Sequence, residues 1–114
     1  MYLYVMVENR EHAMKIAAIA RRRLQDIYGP RLRGVYLYGS AACDHLTPDS
    51  DIDIAIILDK ITSRFEEHKR TSKLGSDISL DNNTVVLFFF AEERDLQTDR
   101  FAIHRVIKTE GIRA

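Results

Sequence analysis

The stretch that decides the fold is VYLYGSAACDHLTPDSDIDIAIIL, from Val35 to Leu58. Two apolar runs, VYLY and IDIAIIL, flank a Gly-Ser pair and a polar loop containing Thr47, Pro48, Asp49 and Ser50. Ile52 to Leu58 reads as the clearest strand in the chain, and Val35 to Tyr38 as a short buried one. In a strand, residues two apart project to one face, so Asp51 and Asp53 point together while Ile52 and Ile54 point away. Two carboxylates so placed repel, and each resists ionising beside the other. A bound divalent cation removes that penalty. Mg²⁺ takes one or two carboxylates and completes its shell with water and substrate phosphates. Gly39 lets the backbone turn and lets a ligand come close. Ser40 offers a hydroxyl, and the turn behind it offers N–H groups suited to phosphate. If the two strands are neighbours, these features face each other across a small gap and meet the needs of phosphoryl or nucleotidyl transfer.

Outward from this stretch the chain alternates helix and strand. Ala13, Ile16, Ala17, Ala20, Leu24 and Ile27 recur at three- and four-residue steps, predicting an amphipathic helix over Glu11–Tyr28, capped by Asn9 and stopped by Gly29-Pro30. Arg21, Arg22 and Arg23 read as its solvated face. Tyr2–Val7 reads as a short strand or an apolar lead-in. Ala41-Ala42-Cys43 suits a brief helical turn. Thr62 or Ser63 caps a helix through Phe65–Lys69 that Gly75 weakens. Asp81-Asn82-Asn83 is a turn, and Thr84–Phe90 an apolar run predicting a strand buried on both faces. Glu92–Gly111 reads as helix or helix plus loop, with Phe101, Ile103, Val106 and Ile107 as its apolar positions. The order helix, strand, strand, helix, strand, helix predicts an α/β (α+β) fold, a small mixed β-sheet covered by helices.

Totals set bounds. The 114 residues suit one domain, 1–114, and 46% are apolar. Seventeen basic residues balance 17 acidic ones, which argues against a general nucleic-acid binder. The single cysteine, Cys43, precludes an internal disulfide and fits a reducing compartment; no run is long enough to span a membrane, and the expected location is cytoplasmic. His12, His45, His68 and His104 have no metal-ligand spacing. Tyr36 and Tyr38 read as packing, and Arg105 and Lys108 as a solvated face.

Gly39-Ser40, ten residues, then Asp51-Ile52-Asp53 resembles the G-S-x10-D-x-D signature of polymerase-beta-like nucleotidyltransferases. The opening helix, VYLYGS, SDIDIAIIL and the closing IHRVIKTEGI, with Arg105–Gly111, follow the order of the minimal nucleotidyltransferase (MNT) proteins over nearly the whole chain. The resemblance implies that fold, with Gly39 and Ser40 holding the triphosphate of ATP and Asp51 and Asp53 as Mg²⁺ ligands. It also implies a third acid on a later strand that helps activate the attacking hydroxyl. Here the sequence departs: the strand Thr84–Phe90 is preceded by Asn83, which cannot act as a base. Asp81 is the candidate if the strand starts sooner, with Asp77 further back. The chain has little room for an acceptor domain. The resemblance therefore implies an antitoxin that transfers AMP to a tyrosine of a HEPN-domain ribonuclease toxin, in a hetero-oligomer. The alternatives are a degenerate module that neutralises the toxin by binding, and a small-molecule nucleotidyltransferase.

Overall fold

The computed structural model describes residues 9–42 and 50–114. The expectations for Tyr2–Val7, Cys43 and His45 lie outside the described residues. Helix α1 runs Arg10–Tyr28, strand β1 Leu32–Tyr38, β2 Ile52–Leu58, helix α2 Arg64–Asp81, β3 Val86–Glu92, α3 Glu93–Gln97, α4 Ala102–Glu110, and β4 Ile112–Arg113. The four strands form one sheet in the order β3-β2-β1-β4. β1 pairs antiparallel with β2 and β4, and β2 pairs parallel with β3. This is the mixed α/β architecture the residue pattern predicts.

The central place of β2 explains its composition. Ile52, Ile54, Ile56 and Leu58 face one side and pack with Ala13, Ile16, Ala17, Ala20 and Leu24 of α1 and Leu74 and Ile78 of α2. Ala55 and Ile57 face the other side and pack with Ala91, Leu96 and Ile107 beneath α3 and α4. Burying each such Ile or Leu contributes about 1.5–3 kcal/mol relative to leaving it in water. Toward the start of β2 the second face carries Asp53 in place of an apolar residue.

Helix ends obey local chemistry. The Asn9 side chain accepts from the His12 N–H at 2.8 Å, as the predicted cap, and the helix starts at Arg10, one residue before the predicted start. Gly29 ends α1 at φ 56°. Ser63 caps α2 by accepting from the Glu66 N–H. Gly75 does not interrupt α2, and the Phe88 ring lies against its bare face.

Two expectations are corrected. The apolar run forms β3 two residues later than predicted, at Val86–Glu92. The turn holds on to Thr84, whose N–H donates to Ser79 C=O, and the Val86 N–H donates to Ser79 Oγ. Among the described residues β3 is also an edge strand and not buried on both faces: Leu87 is 46% exposed. The 92–111 stretch takes the helix-plus-loop form, with α3 and α4 either side of a turn where Asp99 adopts φ 52°, and the chain then closes on β4, which the pattern did not predict. Among the described residues no helix is long and apolar enough to cross a membrane.

Candidate active site

The Gly-Ser turn and the acidic pair meet. β1 delivers Tyr38 directly opposite Asp53 in the antiparallel register. The next residues, Gly39–Ala41, form a 3-10 turn at the strand's end. Gly39 has φ 74°, the left-handed region that side chains disfavour. A Cβ added there would run into Asp53 Oδ2 and lie 3.3 Å from Asp53 Cγ. The glycine is therefore favoured by its backbone conformation, and it leaves the Asp53 carboxylate where it lies. Arg10, at the start of α1, donates to Ala42 C=O at 2.9 Å and ties the end of this turn to the helix.

Asp51 is exposed and Asp53 half-buried. Burial and then the negative charge of Asp51 raise the Asp53 carboxyl above its ordinary value. Burial and the charge of Asp53 push the Tyr38 hydroxyl up to about 12. Among the described residues neither Asp51 nor Asp53 has a cationic partner. A like-charged, partly desolvated oxygen pair with no counter-ion fits a hard divalent cation such as Mg²⁺. Among the described residues no group of three or more His, Cys, Asp or Glu converges, so such an ion would take only two carboxylates from them.

Other candidates lie apart from this meeting point. Asp81 is the final residue of α2, and Asn83 sits in the following turn at φ 49°. The strand begins after both, so the condition for Asp81 to share a strand face with Asp51 and Asp53 is not met. Asp77 is on α2, paired with Lys73 at 3.0 Å. The side chain beside Asp53 on β3 is Leu87, its register partner. Sequence reasoning did not single out Leu87, because 27 residues separate β2 from β3 and hide the register. Arg10 was also missed; only its adjacency to the Asn9 cap hinted at it. A groove of about 670 Å³ between α2 and β3 is lined by residues such as His68, Gly75, Leu80 and Phe88, and neither aspartate lines it.

A glycine turn set against Asp53, with an acidic pair that has no cationic partner among the described residues, on a mixed sheet covered by helices, is consistent with a nucleotidyl-transferring class of protein. The model of the family described as polymerase beta, nucleotidyltransferase, matches residues 15–110, and the chain belongs to that family. No curated protein matches it. Solved structures share its fold. One is a toxin–antitoxin with AMP-PNP, 24% identical, TM-score 0.59, covering 82% of this chain and 68% of that one. A mutant MntA–HpeT toxin–antitoxin is 19% identical, TM-score 0.56, over 92% and 70%. A Shewanella oneidensis structure of tri-AMPylated HEPN toxin with MNT antitoxin is 19% identical, TM-score 0.55, over 89% and 70%.

Proposed function

We propose that residues 1–114 act as one minimal nucleotidyltransferase domain, an MNT antitoxin that moves AMP from ATP to a tyrosine of a HEPN-domain toxin. The observation that carries this reading is the contact between the Gly39 turn and the Asp53 carboxylate. The likeness to toxin–antitoxin folds, one with AMP-PNP and one with an AMPylated toxin, supports the nucleotide and the partner. The single cysteine is consistent with a cytoplasmic setting.

In the reaction the tyrosine oxygen bonds to the α-phosphorus of ATP. The bond from that phosphorus to the β-phosphate oxygen breaks, and pyrophosphate leaves. Asp51 and Asp53 hold Mg²⁺, which supplies neutralisation of phosphate charge. Gly39 lets the triphosphate approach the backbone, and Ser40 donates its hydroxyl to a phosphate oxygen. Half-burial of Asp53 strengthens its attraction for a cation by lowering the local dielectric.

The test is intact-mass spectrometry of the toxin after incubation with this protein, ATP and Mg²⁺. One or more AMP adducts are expected with the wild type and none with Asp51→Asn or Asp53→Asn. An unmodified toxin with the wild type, or equal adducts with the variants, overturns the reading. Leu87 beside Asp53 favours a second reading, neutralisation by binding alone. Toxin inhibition that survives the double aspartate variant identifies it.

A further inference from the structure

Away from the Asp53 site, a small cleft opens beside the start of β1. Its volume is about 100 Å³, and Arg21 and Gln25 of α1, Arg33 and Gly34 of β1, and Arg113 and Ala114 wall it. Gly34 lies about 16 Å back along the strand from the Gly39 turn. Clefts that enclose a drug-sized molecule measure roughly 300–1,000 Å³, so this one suits a single oxyanion. The β1–β2 register slips between Leu32 and Gly34, which sets Arg33 in an irregularity of the ladder. Such bulges re-aim a side chain. Arg113 is held in place: its guanidinium lies 5.6 Å from the centre of the Tyr36 ring, Nη1 donates to Tyr36 Oη at 3.2 Å, and Nη2 donates to Arg33 C=O at 3.2 Å. Gly34 makes room for it, since a Cβ there would lie 3.1 Å from Tyr36 Cε1 and 3.7 Å from Arg113 Nη2. Two strand-edge carbonyls that would repel an anion are already matched, Arg33 C=O by Arg113 and Val35 C=O by the Ala114 N–H at 2.9 Å. Among the described residues the ion pairs give these three arginines one carboxylate, Glu93, which is 3.7 Å from Arg33 with both side chains well exposed. An exposed pair contributes little and yields to a better-matched anion.

We propose that this cleft is a second anion site, which takes inorganic phosphate or the phosphate end of a small phosphomonoester and works independently of the Gly39 turn. Arginine grips phosphate oxygens through paired N–H groups. Arg113, fixed on Tyr36 before any ligand arrives, loses little freedom on binding. Arg21 supplies the charge from the helix side.

The test is a titration of the ¹⁵N-labelled protein with inorganic phosphate and, separately, with methyl phosphate, in chelator and at ionic strength held constant with sodium chloride. The Gly34 amide resonance reports the cleft and the Gly39 resonance the turn. Gly34 is expected to shift to saturation, on a curve distinct from that of Gly39. A response to phosphate alone confines the site to the free anion, and a response to both extends it to esters. Arg21→Gln and Arg113→Gln are each expected to weaken binding at Gly34 about tenfold, the loss of one charge-assisted contact, and to leave the Gly39 curve unchanged. Arg21 stands on an exposed helix face, so its variant keeps the fold even where Arg113→Gln loosens β4, and circular dichroism checks both. Arg22→Gln, the neighbouring exposed arginine outside the cleft, is expected to bind as the wild type does. An absent or unsaturable Gly34 response overturns the proposal. So does wild-type affinity at Gly34 in Arg21→Gln, or an equal loss in Arg22→Gln, which would mark general charge attraction.

Discussion

The two ends of β2 place carboxylates in opposite circumstances. Past its C-terminal end, Glu67 of α2 is buried yet fully matched: Tyr28 Oη and an Arg31 nitrogen each donate to it at 2.9 Å, and Arg70 lies 3.7 Å away. Asp59 also accepts from Arg31. Burial alone would raise the Glu67 pKa, but the hydrogen bonds from Arg31 and Tyr28 carry it below the ordinary value. At the N-terminal end Asp53 has burial and a like charge but, among the described residues, no cationic partner, and its pKa rises. A carboxylate that serves the fold brings its counter-charge with it. One that waits for a ligand does not.

The largest expected effect lies at the unmatched end. Asp53→Asn should lower the rate of AMP transfer by about 10³-fold or more, as loss of a transition-state charge contact does. Without metal the same variant should melt no lower than the wild type, because a repulsion has been removed. A clear drop in melting temperature would erase the contrast between the two ends.

Next comes the matched end. Glu67→Ala strands Arg31 and the Tyr28 hydroxyl, and should cost about 3 kcal/mol by urea denaturation, the lower figure for a broken buried pair because Arg31 is partly exposed. Its pH dependence follows from the lowered pKa. The folded state favours ionised Glu67, so its stabilisation is complete above the unfolded value of 4.5 and is lost as pH falls through the folded value. Glu67→Gln should therefore flatten the acid limb of a melting-temperature profile.

Gly39→Ala sharpens the comparison from the backbone side. The left-handed φ costs about 1–2 kcal/mol, and the new methyl displaces Asp53. Chemical denaturation reads the first effect and ATP affinity the second; unchanged affinity would mean that carboxylate and turn act separately. The smallest effect is expected at Arg22 on the exposed face of α1, where alanine should change stability by less than about 0.5 kcal/mol and leave transfer unaltered.

Much of the fold was legible because its signals are local. The period of α1, the caps Asn9 and Ser63, and the glycine stop need only neighbouring residues. The meeting of the Gly39 turn with Asp53 was legible for a similar reason: β1 and β2 are consecutive strands, and their antiparallel pairing returns the second to the turn ending the first. What failed was non-local. The edge position of β3 hid in a run as apolar as a buried strand's. Within the helix-plus-loop reading of 92–111 only the place of the loop stayed hidden, set at Asp99 in a left-handed φ with Lys108 at 2.9 Å from across the turn.

By itself, then, the sequence determined the periodicity, the caps, and the pairing of a serine-bearing turn with two same-face acids, since each is set by spacing along the chain. Only the tertiary structure decided who stands beside Asp53. The parallel register of β3 is fixed by packing of α2 across the crossover, not by a turn, and it places Leu87 there, leaving Asp81 on the helix.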